Sequence, residues 1–154
     1  MVPQLPKFVN VTPPAAVYDN ASLTTTSIDT RGYDWCRIIV SLGAIDIAMT
    51  ALKVGESDTD GDYSDVTGLV FGTSTNSAGS TSALPTASDD SDIFIFDIDL
   101  RGRKRYLDVT ATCDNSSTAG TYAAIIAELW RGEKQPASAT EAGVNQILQV
   151  PTFA

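Results

Sequence analysis

The sequence predicts an all-β protein: an antiparallel, jelly-roll-like β-sandwich of seven to eight strands. Short segments in which apolar and polar residues alternate are typical of half-buried strands. Turn-forming residues separate them, and charged residues make up only 19% of the chain, with Ser, Thr, Ala and Gly in their place. The 154 residues suffice for one domain with its own core. We expect an extended N-terminal arm (1–14), a sandwich domain (15–132) and a C-terminal tail (133–154).

The arm is predicted from its prolines. Residues 1–14 contain four of the seven prolines in the chain. Proline donates no backbone hydrogen bond and keeps the residue before it extended. We therefore expect residues 1–14 to be an extended arm that contacts a neighbouring subunit. A disordered tail is the alternative.

Four strands are predicted in the first half of the sandwich domain. The threonine-rich segment 22–29 is expected to be an edge strand, and 33–42 alternates throughout. Segment 45–54 changes phase midway, which predicts a β-bulge near Thr50. Segment 62–70 has a weaker strand pattern.

The second half contains the clearest alternation. Segments 93–100 and 106–113 both alternate and flank a cationic turn, so that they read as two strands folded around it. Before them, residues 72–92 are rich in Ser, Thr, Ala, Gly and Asp and are predicted to form a long surface loop. The last predicted strand, 121–131, is apolar on both faces.

The second apolar face of that last strand is expected to be buried by a contact from outside the sheet. It consists of Tyr122, Ile126 and Trp130. The outer face of an antiparallel sandwich normally meets water and carries polar residues. We therefore expect these three side chains to contact another subunit or a terminal arm.

The cationic turn is a second candidate contact. Four of the ten basic residues lie within it, in a chain of net charge −9: Arg101, Arg103, Lys104 and Arg105. Like charges this close repel one another unless countercharge is near. The turn is predicted to bind an acidic surface of a partner or of an adjacent subunit. A solvated tight turn at Gly102 is the alternative.

The tail carries a third candidate contact. Its apolar residues before Pro151 are Ile147, Leu148 and Val150. They are expected to add a strand to a neighbour or to dock onto its surface, with packing on the chain's own domain as the alternative. Upstream, residues 138–141 match a capping box that opens one helical turn.

Enzymatic chemistry is not expected. The chain has no histidine, which removes the commonest general base and most zinc ligands. Cys36 and Cys113 take apolar-facing positions and are predicted to be buried thiols. A hydrolase would use a carboxylate pair among acids such as Asp97, Asp99 and Asp108, but strand phase puts these on solvent-facing sides. We predict no catalytic residue and no cofactor.

Charge and hydropathy also restrict the partners. The net charge of −9 disfavours nucleic acid, because phosphate repels an acidic surface. No apolar run approaches the roughly 18 residues that a membrane span needs, and Met1 is followed by a proline-broken segment rather than an export signal. We therefore expect neither nucleic acid nor a membrane as a partner.

The acidic segment 58–65 has two interpretations. Its carboxylates are Asp58, Asp60, Asp62 and Asp65, and their alternation supplies hard oxygen ligands of the kind that Ca²⁺ prefers. The sixth and twelfth positions of an EF-hand loop would be Tyr63 and Leu69 here, which do not fit. The other interpretation is a hairpin turn around Asp60-Gly61. We expect the turn, with a calcium site as the alternative.

Several segments together resemble a family of small tailed-bacteriophage virion proteins of the head decoration or cement type. The matching segments are Ala21-Ser-Leu-Thr-Thr-Thr-Ser-Ile-Asp-Thr-Arg-Gly-Tyr-Asp34, Val54-Gly-Glu-Ser-Asp58, Tyr63-Ser-Asp-Val66, Leu100-Arg-Gly-Arg-Lys-Arg-Tyr106 and Glu141-Ala-Gly143. They are short, and their character is structural.

The resemblance implies a non-enzymatic virion component. It implies a jelly-roll-like sandwich that binds the shell of the major capsid protein, reinforces it, often as a homotrimer, and is assembled in the host bacterial cytoplasm. A vertex or tail component of the virion is an alternative on the same fold. A different class, a carbohydrate-binding module that uses Trp35, Tyr63 and Trp130, with calcium at the acidic segment, is the alternative.

Overall fold

The computed structural model describes residues 5–15, 17–114 and 120–148. Eight antiparallel strands form two four-stranded sheets that pack as a β-sandwich. The strands are β1 (Lys7–Thr12), β2 (Ile28–Asp29), β3 (Trp35–Leu42), β4 (Met49–Ser57), β5 (Ser64–Val70), β6 (Ile93–Asp99), β7 (Tyr106–Cys113) and β8 (Ala123–Trp130). No helix in the described ranges is long and apolar enough to cross a membrane.

The strand order is that of a jelly roll. One sheet runs β1-β8-β3-β6 and the other runs β2-β7-β4-β5. The pairs β1 with β8, β2 with β7, β3 with β6 and β4 with β5 make the chain a long antiparallel double strand that folds across two layers. The predicted fold class is confirmed.

Alternate residues of both sheets meet in the core. Ile38 and Ile125 come from one sheet, Leu52 and Leu107 from the other, and all four are fully buried. Each such side chain contributes about 1.5–3 kcal/mol of hydrophobic free energy. Cys36 and Cys113 are also buried in this core, and both are free, as predicted.

The bulge near Thr50 is confirmed. Met49 pairs with Cys113, but Ala51 pairs with the adjacent Thr112, so that one extra residue of β4 lies between the two pairs. Thr50 is exposed and its hydroxyl donates to the Thr112 carbonyl. The bulge lets Met49 and Leu52 both face the core.

The N-terminal arm is integrated into the sandwich. Lys7–Thr12 is extended, as expected, but it forms β1 and pairs with β8 of its own sheet rather than reaching a neighbour. Val11 is buried in the core, and β8 would otherwise leave an edge of unpaired backbone groups. Residues 1–4 lie outside the described part of the chain.

The cationic turn does not close a hairpin. β6 and β7 lie in opposite sheets, so residues 100–105 carry the chain from one layer to the other. β6 pairs with β3, whereas β7 lies between β2 and β4, so neither strand pairs with the other. The sequence pattern showed the two faces but not which sheet each strand joins.

The loop between β5 and β6 runs over the surface, as predicted, but several of its residues are attached to the domain. Leu84 packs against the core, and the Pro85 carbonyl accepts a hydrogen bond from the Met49 backbone N–H at 2.9 Å. The expected edge strand 22–29 is reduced to β2, which is indeed at a sheet edge.

Candidate interaction surface

An apolar patch occupies one end of the outer face of the sheet β1-β8-β3-β6, across β8, β3 and β6. This patch, the isoleucine face, consists of Ile39, Ile93, Ile95, Tyr122 and Ile126. Four of these side chains are 43–62% exposed: Ile93, Ile95, Tyr122 and Ile126. An outer sheet face of this character is unusual, because solvent-facing strand positions are normally polar.

The strand register aligns the isoleucines. Ile39 of β3 is directly opposite Ile126 of β8 on one side and Ile95 of β6 on the other. The three therefore form one row across three hydrogen-bonded strands. β-branched side chains in such a row hold one another in fixed rotamers and give a rigid surface.

The far end of the same outer face is polar and aromatic. Trp35 and Trp130 are direct cross-strand partners there. Arg37 pairs with Asp97 at 2.9 Å, and the Trp35 indole N–H donates to the same carboxylate at 2.6 Å. Burial alone would raise the pKa of Asp97, but the hydrogen bonds from Arg37 and Trp35 outweigh burial and lower it. The end is an ordered charged cluster.

A shallow depression lies beside this aromatic pair. It measures about 340 Å³ and is lined by Trp35, Arg37, Trp130 and Arg131. The third aromatic residue of the predicted sugar site, Tyr63, precedes β5 of the opposite sheet, and its hydroxyl donates to Asp60 at 2.6 Å. The structure therefore brings two of the three predicted aromatic residues together and leaves the third apart.

The cationic turn finds its countercharge within the chain. Each basic side chain is paired with one acid: Arg101 with Asp99, Arg103 with Glu56, Lys104 with Asp58 and Arg105 with Asp29. These four acids balance the like charges of the turn without an external acidic partner. Contact of this turn with a partner stays a prediction that like-charge repulsion does not support.

The acidic segment is a turn between β4 and β5. Lys53 pairs with Asp65 at 2.7 Å, and Asp60 accepts the Tyr63 hydroxyl. No three acidic, cysteine or histidine side chains of the described residues converge in a geometry suited to a metal ion. Partial burial, and to a smaller extent the hydrogen bond to Asp60, raise the pKa of the Tyr63 phenol to about 12.

The tail first packs on its own domain. Half of the predicted capping box is present: the Glu141 backbone N–H donates to Ser138 Oγ at 3.2 Å. The Glu141 carboxylate accepts from the Ala137 N–H at 2.7 Å, one residue before the N–H that a capping box uses. One turn follows and ends at Gly143, whose φ is +74°. Ala142 is buried there, and its carbonyl accepts a hydrogen bond from the Phe8 N–H.

The three predicted tail contacts lie beyond this turn. Ile147 is half-buried, Leu148 is 97% exposed, and Val150 lies outside the described residues. A docking role for Leu148 is therefore compatible with its exposure.

Three residues of the isoleucine face were not predicted from the sequence: Ile39, Ile93 and Ile95. The signal was available, because the segment Ile93-Phe94-Ile95-Phe96 is apolar on both faces, as 121–131 is. Only the face that contains Phe94 and Phe96 was used to predict the strand. Tyr122 and Ile126 were identified, and they lie on the same surface as the missed residues.

Comparison of the chain with known protein families, with curated proteins and with solved structures finds no match in any of the three.

Proposed function

We propose that this protein is a non-enzymatic structural protein of a phage virion that binds the assembled capsid shell and stabilises it. The single observation that carries the proposal is the isoleucine face, a rigid apolar surface on the middle of a sheet. Its residues Ile95 and Ile126 are 47% and 43% exposed. The resemblance of several segments to decoration proteins supplies the identity of the partner, the shell of the major capsid protein.

The mechanism is additive. Contact of a flat apolar face with a shell removes apolar surface from water, which is favourable in proportion to the area covered. One such contact is weak, since the face is small. Many copies on one shell, each of which bridges neighbouring shell subunits, stabilise the assembly together.

Co-sedimentation with empty capsids of the phage that encodes the protein tests this function. Ile126→Glu places a charge in the centre of the isoleucine face and is expected to abolish saturable binding. Thr110→Glu is the matched control, because Thr110 is also exposed on a central strand, but on the outer face of the opposite sheet. Equal binding by both variants, with folding intact, would remove the isoleucine face from the proposal.

A second function is favoured by the adjacent indoles of Trp35 and Trp130. A carbohydrate-binding module stacks sugar rings on such aromatic faces, with charged groups such as Arg37 beside them to donate hydrogen bonds. Binding on a glycan array that is lost in Trp130→Ala but kept in Ile126→Glu would favour this function over shell attachment.

A further inference from the structure

The four sheet edges of the sandwich differ in protection. β1 is covered by the tail, where the Phe8 N–H donates to the Ala142 carbonyl at 2.8 Å. β2 has only two residues, and the pairing of β5 with β4 is interrupted by a register shift. β6 has none of these features: its seven residues pair with β3 in unbroken register, and no other described strand continues the sheet. Short, bulged or covered edges resist pairing with another chain, so β6 is the edge of the described sheets that is open to it.

The open hydrogen-bonding groups of β6 follow from its bonds to β3. The Asp92 carbonyl accepts from the Leu42 N–H, and the Leu100 N–H donates to the Asp34 carbonyl. Even-numbered residues therefore face β3 across the ladder. The odd-numbered residues direct their backbone N–H and C=O groups to the open edge: Ile93, Ile95, Asp97 and Asp99.

The first half of β6 is apolar on both of its faces. Ile93 and Ile95 are 62% and 47% exposed on the outer face. On the inner face, Phe94 is half-buried at the rim of the core, with its ring centroid 5.4 Å from that of Phe71. An open groove of about 490 Å³ runs beside it, between β6 and residues 68–71 and 74–77. A strand that pairs with this half of β6 therefore covers apolar surface on both faces of the sheet.

We propose that β6 pairs antiparallel with β6 of a second copy of this chain, about a two-fold axis at Phe94. Ile93 of each copy then lies opposite Ile95 of the other. Because both residues direct their backbone groups outward, each of these two pairs exchanges two backbone hydrogen bonds. On the inner face, the Phe94 side chains of the two copies lie opposite each other, between the two grooves.

The sequence of β6 selects a second copy as the occupant and also selects the register. A shift of the axis to Ile95 would place Ile93 opposite Asp97. A shift to Asp97 would place two like charges opposite each other, which is destabilising. With the axis at Phe94, isoleucine meets isoleucine twice, and the two Asp97 residues lie about 20 Å apart along the strands. The apolar half of β6 is thus complementary to itself, as a two-fold contact requires.

This pairing makes the isoleucine face continuous between the two copies. Ile126, Ile39 and Ile95 form one row within a copy. Ile93 of the second copy lies next to Ile95 and extends that row, and the matching row of the second copy runs beside it in the opposite direction. The two four-stranded sheets become one sheet of eight strands. The contact needs no capsid, so its test is independent of the test of shell attachment.

Sedimentation velocity of the purified full chain tests this contact. We expect a dimer of twice the 16.3 kDa of one chain. Each copy has a net charge of −9, so added salt should screen the repulsion between copies and tighten the dimer. Ile93→Glu places a charge opposite Ile95 of the second copy and should give a monomer.

Ile126→Glu is the matched control. It places the same charge on the same outer face, but on β8, two strands away from the open edge, so it should stay a dimer. A monomer in this variant would indicate that two copies meet through their isoleucine faces rather than through β6, which would overturn the proposal.

Disulfide cross-linking tests the register without a charge at the edge. Ile93→Cys and Ile95→Cys, prepared separately, mixed and mildly oxidised, should form a linked heterodimer. The Cα atoms of a hydrogen-bonded antiparallel pair lie about 5.5 Å apart, within the range that a disulfide spans. The native Cys36 and Cys113 are buried and do not compete. Equal cross-linking of Ile95→Cys alone would overturn the proposed register.

The mass of the full chain also separates this contact from a ring. A two-fold pairing closes at two copies, so the homotrimer that the resemblance implies cannot arise from it. A trimer, a monomer at every concentration up to about 1 mM, or a dimer that survives Ile93→Glu would each overturn the proposal.

Discussion

The guanidinium of Arg105 binds the carboxylate of Asp29 through two hydrogen bonds, Nε to Oδ1 at 2.9 Å and Nη2 to Oδ2 at 2.8 Å. Beside it, the Thr30 hydroxyl and backbone N–H both donate to the Arg105 carbonyl. These bonds join the cationic turn to the short edge strand β2. The turn that the sequence suggested as a docking surface thus has a role within the fold.

Loss of this pair should weaken β2 docking. Arg105→Gln is expected to lower the urea midpoint slightly, and a double-mutant cycle with Asp29→Asn should give a favourable coupling that decreases with added salt. The pair is surface-exposed, so the effect is modest. Lys134→Gln is the control, since the described residues provide Lys134 with no ion pair. Equal effects of Arg105→Gln and Lys134→Gln would contradict the assigned role.

Acid should destabilise the fold over a defined range. The hydrogen bond from Arg105 lowers the pKa of Asp29, and Arg101 lowers the pKa of Asp99 to about 2. Carboxyls with a lowered pKa stabilise the fold fully above the unfolded value of about 3.9. That stability is lost as the pH falls through the folded values. Unfolding by urea between about pH 4 and 2 should show this loss, and Asp29→Asn should flatten the pH dependence. If Asp29→Asn left the slope of stability against pH unchanged, the stabilising role of the ionised Asp29 carboxylate would be contradicted.

The contact between the tail and β1 should depend on Gly143. This glycine has φ +74°, and a methyl group there would overlap the Phe8 carbonyl oxygen. Gly79 has φ +82° and open space around it. Both Gly→Ala changes incur the left-handed backbone strain of about 1–2 kcal/mol, but only Gly143→Ala should also speed hydrogen exchange at the Phe8 amide. Equal exchange in both variants would contradict the packing described.

The two thiols should be unreactive in the folded protein. Burial raises the pKa of Cys36 to about 12, with smaller contributions from Asp97 and Glu128, and burial also raises the pKa of Cys113. The thiolate is the reactive form. A colorimetric thiol reagent at neutral pH should therefore label neither cysteine before unfolding and both after it, while an added Ser77→Cys on the exposed loop should react at once. Fast labelling of the native wild type would contradict their burial.

The sequence predicted the sandwich because alternation reports which residues face a core, and the change of phase within segment 45–54 predicted the bulge near Thr50 that the structure contains. It did not predict that residues 7–12 form β1, since prolines around this segment disguised a strand. Nor did it predict the acidic partners of the cationic turn: Asp29 is 76 residues from Arg105. Such contacts depend on which sheet each strand joins, and local patterns do not contain that information.

The most direct measurement of the central claim is a cryo-electron microscopy reconstruction of empty capsids saturated with the protein. The account predicts density in which the outer face of β8-β3-β6, with Ile126 and Ile95 at its centre, lies against the shell. Contact through the outer face of β2-β7-β4-β5, or capsids without added density, would contradict it.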